Sequence, residues 1–256
     1  MATLTVLGRE IPLYSLLTVA GALLAWGYVE WRARRLGHQN TADVELSFLY
    51  GMIGAFLGAK LLSVLTQIPA IRADWPLLSV SPSVFMQKYL YAGFVFYGGI
   101  LGALLASWCY CRTKHIAYAD MERVLLPICP LIHAFGRVGC FLTGCCYGKS
   151  VPWGYVYHHS AVAPNGVPLL PVQLFEAGFE VILCLIAILL SKKERRGGTL
   201  TAIYLGTYGI FRFIIEFWRG DAYRGFIGPL SVSQWIALAT LLGIALWLIR
   251  KNKKTA

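Results

Sequence analysis

The feature that most limits what this chain can become is a recurring apolar run. About seven stretches, near residues 12–29, 46–66, 90–110, 124–142, 171–190, 199–217 and 229–249, reach or approach the roughly 20 apolar residues that a hydrocarbon core requires. Nearly all of the 256 residues are then helix or short connection. The composition agrees: 57% hydrophobic, only 14% charged, with a mean hydropathy of +0.62. The expectation is an all-α, polytopic integral membrane protein of about seven transmembrane helices, forming a single domain over 1–256 without internal repeats.

A formal net charge of +11 would fit a nucleic-acid binder, but its distribution points elsewhere. Arg32, Arg34 and Arg35 follow the first run, Arg112 and Lys114 the third, Lys192, Lys193, Arg195 and Arg196 the fifth, and Arg250, Lys251, Lys253 and Lys254 the seventh. In a seven-span arrangement all of these fall on one side. The other side carries the thinner set Arg9, Arg72, Lys88, Lys149, Arg219 and Arg224. The positive-inside rule then puts the amino terminus outside and the carboxyl terminus in the cytoplasm. The basic excess reads as a topology signal with a hold on anionic membrane lipid, and no basic stripe with stacking aromatics supports a nucleic-acid partner.

The first apolar run is span-length, has no basic segment at its start and lacks a persuasive small-x-small cleavage site, so no secretory signal peptide is expected. Cys109, Cys111, Cys129 and Cys184 lie within runs, where a thiol behaves as a small apolar group.

The fourth run ends in His133-Ala-Phe-Gly-Arg-Val-Gly-Cys-Phe-Leu-Thr-Gly-Cys-Cys-Tyr-Gly148. An arginine among Leu131, Ile132, Phe135, Val138 and Phe141 must be paired, hydrated or bound to an anion, which makes Arg137 the most informative residue of the chain. His133 lies four positions earlier and projects from the same helix face. The plain alternative is a packing helix whose arginine reaches the interface, with cysteines as filler.

Other polar residues recur in apolar runs. Lys60 lies mid-span, where an ammonium costs about 2.5–3.5 kcal/mol on insertion scales, and Gly51, Gly54 and Gly58 beside it have small-xxx-small spacing. Residues 67–89, with prolines at 69, 76 and 82, read as an ordered segment on the membrane surface. Tyr97-Gly98-Gly99 opens the third span; such backbone at membrane depth needs a cavity or a tight helix crossing. Gln173 and Glu176 follow Pro171 and are placed to face one cavity. Arg212, Glu216 and Arg219 follow i, i+4, i+7 spacing and form a charged stripe. An Arg212–Glu216 pair would leave Arg137 and Arg219 as surplus cations near the outer interface, suited to a phosphate.

Four motifs in order carry a resemblance to the bacterial prolipoprotein diacylglyceryl transferase family: Phe96-Tyr-Gly-Gly-Ile-Leu-Gly102, Gly136-Arg-Val-Gly-Cys-Phe-Leu-Thr-Gly144, Pro171-x-Gln-Leu-Phe-Glu176 and Tyr208-Gly-x-x-Arg-x-x-x-Glu-x-x-Arg219. Tyr14 falls where that family has a tyrosine, and the resemblance covers nearly the whole chain. It implies a multi-pass enzyme of the bacterial cytoplasmic (inner) membrane. The reaction implied moves the diacylglyceryl group of phosphatidylglycerol onto the lipobox cysteine thiol of a prolipoprotein signal peptide and releases glycerol phosphate. It further implies that Arg137 and Arg212 handle the lipid phosphate and that Glu216 orients the arginine. No cofactor is implied, and no oligomeric state.

The chain departs from the family pattern at Tyr97, where the family has histidine, at Cys140, where it has asparagine, and at Cys145, where it has glutamate. The segment before Pro171 is also short for the family. A tyrosine of ordinary pKa near 10 is a poor base at neutral pH, so His133 becomes the candidate base in its place. The catalytic candidates are thus His133, Tyr97, Tyr14, Cys140 and Glu216; the substrate-binding candidates are Arg137, Arg212, Arg219, Gly98, Gly99, Gln173 and Glu176. Alternatives are a paralogue with another acceptor, with Cys140 or Cys145 as nucleophile, and a non-catalytic lipid-binding or transport protein. A zinc site from Cys140, Cys145, Cys146 and His158 or His159 has loose, partly adjacent spacing, so no metal is expected.

Overall fold

The computed structural model describes residues 3–6, 9–36, 41–91, 93–221 and 225–253. Arg224 and Lys254, which entered the charge argument, lie outside the described residues. A hairpin of β1 (Thr3–Val6) and β2 (Arg9–Pro12) leads into α1 (Leu13–Arg35) and α2 (Thr41–Thr66). Three short helices follow: α3 (Ile68–Ala73), α4 (Trp75–Val80) and α5 (Pro82–Met86). After a π-helical turn at Gln87–Tyr91 come α6 (Phe96–Thr113), α7 (Tyr118–Leu125) and α8 (Ile128–Thr143). The antiparallel strands β3 (Ser150–Val156) and β4 (Pro168–Leu169) occupy the next connection. The chain continues through α9 (Val172–Leu190), α10 (Thr199–Ile215), a 3-10 turn at Glu216–Trp218, the small hairpin β5 (Phe226–Ile227) and β6 (Leu230–Ser231), and α11 (Val232–Lys253).

Among the described residues, six helical segments are long and apolar enough to cross a membrane: Leu13–Arg35, Thr41–Thr66, Tyr118–Thr143, Val172–Leu190, Thr199–Trp218 and Val232–Lys251. The chain is a multi-pass membrane protein. The third expected span appears as α6, 18 residues long, in which Tyr97, Ser107, Trp108, Tyr110 and Arg112 interrupt the apolar run. It stands outside that set of six.

The chain divides into two compact units, Met1–Trp31 with Glu122–Ala256, and Arg32–Met121. In the second of these, α2 and α6 cross at backbone contact. A Cβ on Gly58 would overlap the Gly98 carbonyl, and one on Gly98 would overlap the Gly58 carbonyl; Gly54 and Gly102 repeat this reciprocal fit one turn along. The small-xxx-small spacing of α2 is thereby explained, and Gly98 takes the tight-crossing role. Buried Ser47 and Ser107 hydrogen-bond across the same pair at 2.9 Å, and Lys60 Nζ reaches the Gly93 carbonyl at 3.3 Å. Pro69, Pro76 and Pro82 each sit in the first turn of a short helix, where the missing N–H costs nothing. Asp74, between α3 and α4, accepts hydrogen bonds at 2.6 Å from Lys88 and from Tyr89.

In the other unit the long helices are α1, as far as Trp31, and α8, α9, α10 and α11. The first turn of α10 has no side-chain cap of its own. Glu122 provides one, its carboxylate accepting from the Gly198 N–H at 2.9 Å and the Thr201 N–H at 2.6 Å, where an anion is favoured by the helix dipole. Phe179 of α9 stacks on Phe211 of α10 with centroids 3.8 Å apart. Apolar packing of this kind sets the framework on which the polar residues are hung.

Candidate functional site

On α8 the spacing of His133, Arg137 and Cys140 places all three on one face, and on α9 the spacing of Gln173, Glu176 and Glu180 does the same. The helices meet along these faces. His133 Nδ1 lies 2.8 Å from Glu180 Oε1, and one turn on Arg137 is in ion-pair contact with Glu176. Both carboxylates are essentially inaccessible, Glu176 at 1% and Glu180 at 0% exposure. Charges so buried persist only when paired and hydrogen-bonded, which fixes the register of the two helices. Gln173 ends this face; its Nε2 donates to the Cys145 carbonyl at 2.7 Å and so holds the chain beyond α8.

Glu176 has a second partner. Arg212 of α10 reaches its Oε1 at 2.6 Å, turns its other nitrogen to Glu216 at 2.8 Å and donates to Ser233 Oγ of α11 at 3.2 Å. A single carboxylate thus joins arginines from two helices.

The stripe read over Arg212, Glu216 and Arg219 needs correcting. The α-helix stops at Ile215, the chain tightens to 3-10 over Glu216–Trp218, and Arg219 has extended backbone at φ −69°, ψ 138°. Its guanidinium forks onto Asp221, with Nε and Nη2 each 2.7 Å from a carboxylate oxygen. Arg219 is therefore closed by a local acid, and Arg137 is held by Glu176. Neither is the surplus cation that the sequence led one to expect. What remains open is finer: Arg137 Nε is buried and has no hydrogen-bond partner among the described residues.

The turn after α8 lies beside this cluster. Gly144 ends the helix in left-handed conformation at φ +75°, and its N–H and that of Cys145 close on the Phe141 and Cys140 carbonyls at 3.1 Å each. Cys146 also takes positive φ, at +59°. The chain then pairs with the end of the α10 segment: Lys149 N–H donates to the Trp218 carbonyl at 2.8 Å, and Gly220 N–H to the Tyr147 carbonyl at 3.0 Å. The Cys146 thiol is lowered below its ordinary range by hydrogen bonds from Cys140 and Cys145, and further by the positive fields of Arg137 and Arg219, against the opposing effect of burial. Tyr14, at the start of α1, is 41% exposed and lies against Gly139, where a Cβ would come within 2.7 Å of its ring.

The structure therefore brings together His133, Arg137, Glu176, Arg212 and Glu216, with Tyr14, Cys140, Gln173 and Arg219 around them. Tyr97, Gly98 and Gly99 are buried on α6 in the other unit. Sequence reading missed Glu180, Asp221 and Ser233. Glu180 carried a signal, a second acid four positions after Glu176 in an apolar run. Asp221 and Ser233 carried none, since both lie near helix ends where polar residues are ordinary. Chemically, the arrangement offers guanidinium donors for an oxyanion and an imidazole whose orientation is set by a carboxylate.

The sequence profile of prolipoprotein diacylglyceryl transferases matches residues 2–250. The phosphatidylglycerol–prolipoprotein diacylglyceryl transferase of Clostridium tetani is 33% identical over 250 residues, covering 96% of each chain. A second such enzyme, from Clostridium perfringens, is 31% identical over 252 residues, covering 97% of this chain and 94% of its own. That of Coxiella burnetii is 32% identical over 254 residues, with 96% and 93% covered.

Proposed function

This chain belongs to the prolipoprotein diacylglyceryl transferase family, and from that membership we propose that it moves the diacylglyceryl group of phosphatidylglycerol onto the lipobox cysteine thiol of a prolipoprotein signal peptide, releasing glycerol phosphate. The observation that carries this reading is the pair of buried arginines, Arg137 and Arg212, gathered on Glu176, with the Nε edge of Arg137 left to donate. A phosphodiester oxygen placed at that edge gains a charge-assisted hydrogen bond in a site of low dielectric. Glu216 orients Arg212.

His133 is assigned the base. Its Nδ1 lies 2.8 Å from Glu180 Oε1, and a carboxylate there orients the imidazole and stabilises the imidazolium formed when it takes the proton of the incoming thiol. The thiolate sulfur attacks the glycerol carbon that bears the phosphate ester, the C–O bond breaks, and its electron pair passes to the phosphate oxygen facing the arginines. Tyr14, against Gly139, is placed to contact the headgroup. Tyr97, Gly98 and Gly99 are assigned by family position alone.

The topology that goes with this reading has seven spans, counting α6, with the amino terminus outside and the carboxyl terminus in the cytoplasm of the bacterial inner membrane. The end of α8 then opens to the outer side, where prolipoproteins are exposed during export.

The test is transfer from phosphatidylglycerol vesicles to a synthetic lipobox peptide, followed by mass spectrometry of the peptide. Wild type should give the diacylglyceryl thioether, whereas phosphatidylethanolamine vesicles should not support it. Arg137→Ala should lose about 10²–10³-fold in rate, the scale of one lost oxyanion donor, while remaining in the membrane. Lysine should restore little, because a point charge lacks the planar fork. Full activity in Arg137→Ala would remove the phosphate assignment.

A further inference from the structure

Spacing alone argued against a metal in this chain, yet the turn after α8 changes the geometry. The Sγ atoms of Cys140, Cys145 and Cys146 all lie within 4.8 Å of one another, and each residue is half-buried. Local backbone forces this: Gly144 reverses the chain at the helix end, and Cys146 follows in a left-handed conformation that non-glycine residues seldom adopt. The bend is held from outside by Gln173 on the Cys145 carbonyl, at 2.7 Å, and by the Gly148 N–H on the Leu170 carbonyl, at 3.0 Å. His158 and His159, the sequence's candidate fourth ligands, are both exposed on the following segment.

We propose that Cys140, Cys145 and Cys146 form a three-thiolate site for a soft metal ion, zinc first, with a fourth position open to an exogenous ligand. The donor set decides the class. Thiolates select zinc or copper(I) over magnesium or calcium, and three protein ligands with one open position is the pattern of a zinc site that accepts a ligand. Sulfurs about 2.3 Å from a tetrahedral ion stand about 3.8 Å apart, so the cluster needs only a small contraction. Charge also fits. Three thiolates and a divalent ion sum to one negative charge, and Arg137 and Arg219 are both within electrostatic reach of Cys146. A cation held by neutral ligands would be repelled there, whereas an anionic thiolate complex is favoured. Metal entry expels to solvent the protons that the three sulfurs still carry, so uptake is promoted by rising pH. The site goes beyond the transfer reaction and does not depend on it.

The test uses the full chain in detergent, reduced with a phosphine and freed of metal. Zinc should bind with one ion per chain, and cobalt(II) should give the intense sulfur-to-metal charge-transfer absorption of a thiolate site in tetrahedral geometry. Zinc should protect the three thiols from alkylation, as read by peptide mass spectrometry. Cys146→Ser and the triple serine variant should lose the absorption and the protection while the chain stays monodisperse. A small added thiol should shift the cobalt bands, reporting the open position. Several results would overturn the proposal: no zinc retained by the fully reduced protein, zinc retained equally by the triple variant, or a Cys140–Cys146 or Cys140–Cys145 disulfide that no reductant opens. Cobalt bands indifferent to added thiol would overturn the open fourth position.

Discussion

Two pairs of helices in this molecule approach closely by opposite means. Between α2 and α6, Gly54, Gly58, Gly98 and Gly102 remove side chains so that backbone meets backbone. Between α8 and α9, long side chains fill the gap, and His133–Glu180 and Arg137–Glu176 hold the faces together. The first solution uses dispersion and needs no charge. The second buries ionised groups that would be costly alone, and apolar residues of similar volume would stabilise the pair at least as well. Polar groups kept where packing does not require them are the ones on which the proposed chemistry draws.

The comparison is broken most severely at Glu176. Glu176→Gln should leave Arg137 and Arg212 without their shared counter-charge and cost about 3–5 kcal/mol, the penalty for uncovering one side of a buried pair. It should appear as a large fall in thermal midpoint in detergent. A midpoint within a degree of wild type would mean that water satisfies both arginines. The next effect is on turnover. His133→Gln should slow transfer about a hundredfold, the scale of a lost general base, with folding intact. An unchanged rate and pH profile would place the base elsewhere.

On the glycine side the expected effect is on stability. Gly58→Val should force α2 from α6 and cost about 1–3 kcal/mol, as overpacking does, with a similar loss for Gly98→Val. If Gly58→Val unfolds at the wild-type temperature, the two helices do not depend on backbone contact.

The smallest effect concerns Asp74, outside the spans. A hydrogen bond from Lys88, then one from Tyr89, holds its carboxyl below the usual range. A depressed folded-state pKa gives stability that is present above the unfolded value and lost as pH falls through the folded one. Hydrogen exchange at residues 74–89 should therefore quicken as pH drops below the ordinary carboxylate range, beyond the intrinsic pH trend. Asp74→Asn should remove that excess.

How legible each region was follows from the same contrast. Arg137, Arg212 and Glu216 stood out because a charge in an apolar run has no ordinary explanation. The glycines of α2 announced a crossing by their spacing, though only the fold supplied Gly98 and Gly102 as the other half. Partner choice was not legible. Glu176 serves two arginines because α8, α9 and α10 converge on it, and Arg219 leaves the stripe because the helix tightens at Glu216, a change that apolar periodicity does not record. The cysteine turn was hidden for a similar reason: adjacent residues look unable to converge until a left-handed Cys146 turns one sulfur back.

The sharing of Glu176 bears on how the proposed site would tell reactant from product. Arg137 is already part-neutralised by a carboxylate, so an arriving phosphodiester, with one negative charge, would gain only modestly at the Nε edge left to it. As the glycerol–oxygen bond stretched, a second charge would gather on the phosphate, and the arginines would hold it more strongly than they held the resting lipid. Glu176 keeps the first attraction small, so most of the gain would fall on the departing phosphate, which lowers a barrier rather than deepening a well.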